Sequence, residues 1–167
     1  MSSKTTLARL VSPRLVSAFA ACFLLLAWSG QALADDASCD VFEIKATTDS
    51  TGLDKELKPL KKKLSKPPFS AWKSFKLVKK HSLKASLMKA VSVKLSAGGK
   101  LGLLYKERND AKGHKPRLRV VMTLDDAKGK RKADITLKFD SGDFSLVGQD
   151  AGKDGSTRVL AIRCSVK

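Results

Sequence analysis

Between Leu83 and Val166, apolar side chains recur at every second position in short runs separated by Gly, Asp and Lys. A period of two sends alternate side chains to opposite faces of an extended chain, so this stretch is suited to β-strands with one apolar face. Leu83, Ala85, Leu87, Val91, Val93 and Leu95 share one parity, interrupted only by Lys89. Leu118, Val120, Met122 and Leu124 form a second set, and Ala133, Ile135, Leu137 and Phe139 a third. Leu160, Ile162, Cys164 and Val166 form the last. Ala97-Gly98-Gly99 reads as a hairpin turn into a strand over 101–106, and Asp140-Ser141-Gly142-Asp143 as another, leading into 144–148. Such strands predict an antiparallel meander, whose apolar face must be covered or curl on itself.

The chain ahead of the meander supplies a cover. A first strand over 40–47 alternates around Phe42, Ile44 and Ala46, and Ser50-Thr51-Gly52 breaks it. Leu53, Leu57, Leu60 and Leu64 then fall within an arc of about 60° at helical spacing. Pro59 removes a helical hydrogen bond and clashes with the preceding turn, so a short helix that kinks or starts late is expected, ended by Lys66-Pro67-Pro68. Phe69, Trp72 and Phe75 are expected to pack the helix end onto the sheet. The predicted fold class is α+β: a curved antiparallel sheet or partial barrel of about seven or eight strands, with one early helix packed on it or plugging it.

Residues 1–34 read as a secretory signal peptide. Lys4, Arg9 and Arg14 precede an apolar run from Leu15 to Trp28, and Ala32-Leu33-Ala34 fits the small-residue cleavage pattern. The run is about 14 residues, short of the roughly 20 that a spanning helix needs. Ala20-Ala21-Cys22 has the small residues of a lipid-acceptor site, but most of the apolar run lies after that cysteine. Cleavage would leave residues 35–167 as a single secreted domain in the periplasm or outside the cell. It would also leave two cysteines, Cys39 and Cys164. In an oxidising compartment they are expected to form a disulfide clamping the first strand to the last.

Catalytic and metal signatures are missing. His81 sits among Lys79, Lys80 and Lys84, and His114 lies in the loop from Asp110 to Pro116; both read as surface histidines. Neither has a Cys, His or Glu at ligand spacing, so no metal or other cofactor is expected. There is no G-x-S-x-G, phosphate-binding loop or H-E-x-x-H, and no catalytic residue is assigned. Asp125-Asp126, Asp140 with Asp143, and Asp150 with Asp154 lie at strand ends beside Gly, where Asp bonds its own turn.

The charge is uneven. The chain carries 33 Lys and Arg against 16 Asp and Glu. Twelve of those cations, all Lys, lie between Asp54 and Lys89 with only Asp54 and Glu56 to offset them. On the predicted helix, Lys55, Lys58, Lys62 and Lys66 lie opposite the leucine arc, and Lys73 and Lys76 follow among the aromatics. Lysine suits diffuse attraction to a polyanion better than planar, bidentate recognition. These six residues are the candidate anion-binding face.

The run Pro68-Phe69-Ser70-Ala71-Trp72-Lys73-Ser74-Phe75-Lys76-Leu77, the lysine helix before it and the Phe144-Ser145-Leu146-Val147-Gly148 strand resemble a group of uncharacterised exported bacterial proteins. The resemblance implies an exported single domain and brings no activity, ligand or site residue.

The expected function is therefore that of a non-enzymatic exported domain binding an anionic envelope or extracellular partner. Lipopolysaccharide, phospholipid headgroups, acidic polysaccharide, extracellular nucleic acid and an envelope protein fit that description. Two alternatives have their own structural signatures. A small periplasmic hydrolase would gather Asp125, Asp126 or Asp140 with His81 or His114 in a cleft. A lipid-carrying β-domain would hold an apolar cavity of several hundred cubic ångströms.

Overall fold

The computed structural model describes residues 36–49, 51–151 and 155–166. The expected signal segment lies outside them, as does the side chain of Asp150 and the whole of Asp154. The described chain is mostly β, with nine strands: β1 (Asp36–Thr47), β2 (Gly52–Leu53), β3 (Ser74–Ser86), β4 (Ala90–Lys94), β5 (Lys100–Asn109), β6 (Arg117–Asp125), β7 (Arg131–Asp140), β8 (Phe144–Ala151) and β9 (Thr157–Val166). Two curled sheets form a half-barrel, one of five strands in the order β2-β3-β1-β9-β8 and one of four in the order β4-β5-β6-β7. All pairings are antiparallel except the two-residue contact of β2 with β3.

The strands number nine in two sheets, not seven or eight in one, because the short β2 carried no alternation to read. The α component is small: a 3₁₀ helix over Lys55–Leu60 contains Pro59, and a single α-helical turn, α1 (Lys61–Leu64), starts only after it. The missing proline N–H delays the α-helical bonding, so the helix begins late, as its position predicted. Leu87 lies not on the apolar face but in the β3–β4 turn, where it is exposed beside Met88 at φ 60°. There the chain reverses, and the Met88 N–H donates to the Tyr105 carbonyl at 2.7 Å.

The first sheet is buried on both faces. Toward the second sheet it presents Ala37, Cys39, Val41, Ala85, Leu160, Ile162 and Cys164, which meet Leu101, Leu103, Tyr105, Leu118, Val120 and Met122. Its other face presents Phe42, Ile44, Ala46, Phe75, Phe144, Val159 and Ala161 to Leu57, Leu60, Leu64 and Phe69 of the helical segment, with Trp72 half-buried against them. Each of the three leucines is almost wholly buried, which stabilises the layer by about 2 kcal/mol per side chain. Asp54 fixes the start of this layer: its carboxylate accepts from the Leu77 N–H at 2.7 Å, and its own N–H donates to the Phe75 carbonyl at 3.1 Å.

The disulfide joins Cys39 of β1 to Cys164 of β9, which face each other in the register of the two central strands with Cα atoms 4.0 Å apart. At the other end of the half-barrel, Gly98 and Gly99 turn β4 into β5 with φ of 81° and 86°. A side chain on Gly99 would strike the Asp125 carbonyl, so the hairpin tip sits hard against the end of β6.

Candidate functional site

The six candidate lysines are all exposed. Burial of Leu57, Leu60 and Leu64 leaves Lys55, Lys58, Lys62 and Lys66 on the outward side of the helical layer. Lys73 lies just before β3 and Lys76 on it. None of the six forms an ion pair with a described residue. Two neighbours are committed elsewhere: Lys63 donates its ammonium to the Phe144 carbonyl, and Lys80 faces Asp40 at 3.6 Å and lies 5.3 Å from the Phe42 ring centre. Lys61 and Lys73 flank an open cleft of about 420 Å³ floored by Leu53, Leu64, Trp72 and Phe75.

The second sheet handles its charge differently. Arg108 pairs with Asp110 at 2.8 Å, Arg119 with Glu107 at 2.8 Å, Arg117 with Asp140 at 3.7 Å and Lys115 with Asp143 at 3.7 Å. Arg131 pairs with Asp125, and Lys132 with Asp126 at 3.7 Å. Asp126 also accepts from the backbone N–H groups of Lys128 and Lys130, each at 2.9 Å, as its turn position predicted. The Lys130 bond is the largest influence holding its carboxyl below the ordinary value, and the Lys128 bond and Lys132 add to it against a smaller opposing effect of desolvation. Asp140 and Asp143 line one open depression with His114.

Asp40 lies on the outer face of the first sheet, beyond the helical cover. It accepts from the Ser82 hydroxyl and the Arg163 guanidinium, each at 2.6 Å. Burial alone would raise its pKa; the Ser82 and Arg163 hydrogen bonds and the charges of Lys80 and Arg163 outweigh that and hold it below the ordinary value. Arg163 also lies 5.0 Å from the centre of the Phe144 ring.

His81 is not a surface histidine. Its side chain is 11% exposed, and Nε2 donates to the Glu43 carboxylate at 2.7 Å. Glu43, itself buried, also accepts from the Ser96 N–H at 2.9 Å and the Ser96 hydroxyl at 3.2 Å. These bonds pin the β4–β5 turn of the second sheet to β1 and β3 of the first. Ser, Glu and His in contact suggest a nucleophile relay, but here the carboxylate sits between hydroxyl and imidazole. A relay needs the imidazole next to the hydroxyl to take its proton. The arrangement is suited to joining the sheets. Glu43 was missed because β1 was read as having one buried face; a strand buried on both faces places a parity-matched Glu inside.

The same end of the half-barrel holds an opening between the sheets, of about 420 Å³. Leu95, Met122, Leu124, Ile135 and Val147 give it apolar walls, and Gln149 and Arg158 are among its polar lining. The Gln149 side-chain nitrogen is itself buried and without a hydrogen-bond partner, a state that costs about 1–3 kcal/mol. Arg158 makes no ion pair among the described residues. No cluster of metal-ligating side chains occurs among those residues. None of their helices is long and apolar enough to cross a membrane.

No protein-family model, curated protein or solved structure matches this chain.

Proposed function

We propose that this protein is a non-enzymatic exported domain, periplasmic or secreted, that binds an anionic envelope or extracellular partner through its lysine layer. The observation that carries this reading is that Lys55, Lys58, Lys62 and Lys66 on the helical layer, and Lys73 and Lys76 at the start of β3, are all exposed and none forms an ion pair with a described acid. Holding like charges together without counter-charges is unfavourable in the free protein, and the repulsion is relieved when an anionic surface displaces their counterions. Lipopolysaccharide, phospholipid headgroups, acidic polysaccharide and nucleic acid all present such a surface. Part of the lysine on β3 has a second use, since β2 covers only Ser74 and Phe75 and a charged edge discourages pairing with other chains. The helical lysines have no edge to protect, so the reading rests chiefly on them.

The test is retention on immobilised lipopolysaccharide or heparin across a salt series. Binding at low salt should collapse by about 0.3 M, where the Debye length falls below that of physiological salt. Replacing Lys55, Lys58, Lys62 and Lys66 together by Gln should weaken binding at least tenfold, since each lysine near an anionic surface contributes about 1 kcal/mol. Salt-insensitive retention, or none at low salt, would remove the reading.

The hydrolase alternative has one observation in its favour, the depression shared by His114, Asp140 and Asp143. Both carboxylates there face cations, Arg117 and Lys115, and no hydrogen bond joins His114 to either among the described residues. That arrangement supports the binding reading over the catalytic one.

A further inference from the structure

We infer that the cleft between the helical layer and the start of β3 seats an anionic phospholipid of a bilayer, its phosphate between Lys61 and Lys73 and the upper part of an acyl chain against Trp72. The inference rests on the lysine-layer reading above and names the partner within it. Four observations carry it.

The first is charge without counter-charge. Between Glu56 and Glu107 the chain has fourteen lysines and no Asp, Glu or Arg. Lys61 and Lys73, which line the cleft, are exposed, and neither forms an ion pair with a described residue. No acid is among the described residues that line the cleft. Two cations over one cleft repel, and an anion between them turns that repulsion into attraction.

The second is the apolar surface that the two cations border. Leu53 and Trp72 are half-buried and supply the apolar surface still open to solvent, while Leu64 and Phe75, almost wholly buried, back it. At about 420 Å³ the cleft is within the size range of ligand sites. The hydroxyl groups of a polysaccharide find no partner on such a surface, whereas an acyl chain removes it from water.

The third is the fixing of Trp72 before anything binds. Its backbone N–H donates to the Phe69 carbonyl at 3.2 Å, and its ring centre lies 6.3 Å from that of the buried Phe69. A ring already held in place loses little freedom on binding. Tryptophan beside lysine is the combination suited to a bilayer interface, with the indole at headgroup level and the ammonium reaching phosphate.

The fourth separates a lipid from nucleic acid. Bases of a single strand stack on successive open rings. Phe69 and Phe75 are buried, which leaves Trp72 as the only open ring among the described residues of this region. Lysine meets a phosphate as a point charge, without the planar pairing that arginine brings to bases.

The experiment is a fluorescence titration of the full chain carrying Trp28→Phe, which leaves Trp72 as its sole tryptophan. The probes, added at low salt, are vesicles of phosphatidylglycerol with phosphatidylcholine, vesicles of phosphatidylcholine alone, and heparin, an anion without a chain. Phosphatidylglycerol vesicles should shift Trp72 emission to shorter wavelength, and acyl chains brominated near the headgroup should quench it. Phosphatidylcholine vesicles should do neither, and heparin should bind without the shift. Lys61→Gln with Lys73→Gln should weaken vesicle binding at least tenfold and abolish the quenching. Lys55→Gln with Lys58→Gln removes the same charge from the layer and should weaken binding less, with quenching kept at saturating lipid. Residues 1–34 are common to every variant and cancel in the comparison. All four substituted lysines are exposed, and circular dichroism confirms folding. Equal losses in the two pairs, vesicle binding without quenching of Trp72, or a stronger response of Trp72 to a single-stranded oligonucleotide than to vesicles would overturn the inference and leave the lysine-layer reading standing. Binding to neither vesicles nor heparin would remove both.

Discussion

Asp40 and Glu43 lie three residues apart on β1, one on each face of the first sheet, and show how burial changes what a carboxylate does. Asp40 is held in its charged form by Ser82, Arg163 and Lys80. A carboxyl whose folded-state pKa is lowered contributes stability that is complete above its unfolded pKa of about 3.9 and is lost as pH falls through the lower folded value. Asp40→Asn should therefore be destabilising by about 1–2 kcal/mol at neutral pH, and the gap to the parent should close below about pH 4. Urea midpoints at pH 7, 4 and 2.5 measure it; a constant gap would mean that Asp40 does not titrate as described. Glu43 has the larger stake. Glu43→Ala leaves the Ser96 N–H and the His81 imidazole without their acceptor inside the protein, at a cost of about 3 kcal/mol, whereas Glu43→Gln keeps an acceptor and should lose about 1. Equal urea midpoints for the two variants would show that the carboxylate oxygens do not hold the β4–β5 turn in place.

At the scale of elements, β1 and β9 form the spine. Each pairs along nearly its whole length with the other, β1 also with β3, and β9 also with β8. The disulfide links these two strands across a separation of 125 residues. Loop-closure entropy predicts a large effect for so long a loop, though measured values fall short of it. Cys39→Ala with Cys164→Ala should lower unfolding free energy by about 2–5 kcal/mol while leaving the β-sheet signal in circular dichroism intact. An unmoved midpoint would place the stability of the spine in its packing alone. The alternation at 118–124, 133–139 and 160–166 told these strands from the sequence because strand periodicity is local and each run ends at a turn residue. The helical layer was legible for the same reason, down to the late start imposed by Pro59. Two-residue β2 was not, since pairing alone defines it.

For the molecule as a whole, two arrangements of charge coexist. The second sheet neutralises its acids with neighbouring cations, while the helical layer and the β3 edge leave their lysines to solvent. The lysine excess could be counted from the sequence, and helical spacing placed four of its members on one face. Composition and periodicity thus determined most of the strands and turns, the pairing of Cys39 with Cys164 and the outward lysines, because each depends on neighbours within a few residues or, for the disulfide, on there being only two cysteines beyond the expected signal segment. Only the tertiary structure decided the fate of Glu43, His81, Gln149 and Arg158. His81 and Arg158 continue the parity of Leu83 and Leu160, Glu43 and Gln149 that of Val41 and Val147, yet what a strand face meets is settled by the sheet that folds over it. The helical segment covers one side of the first sheet and the β4–β7 sheet the other, so polar side chains that would have been hydrated were enclosed, joining the sheets at one point and lining an opening at another.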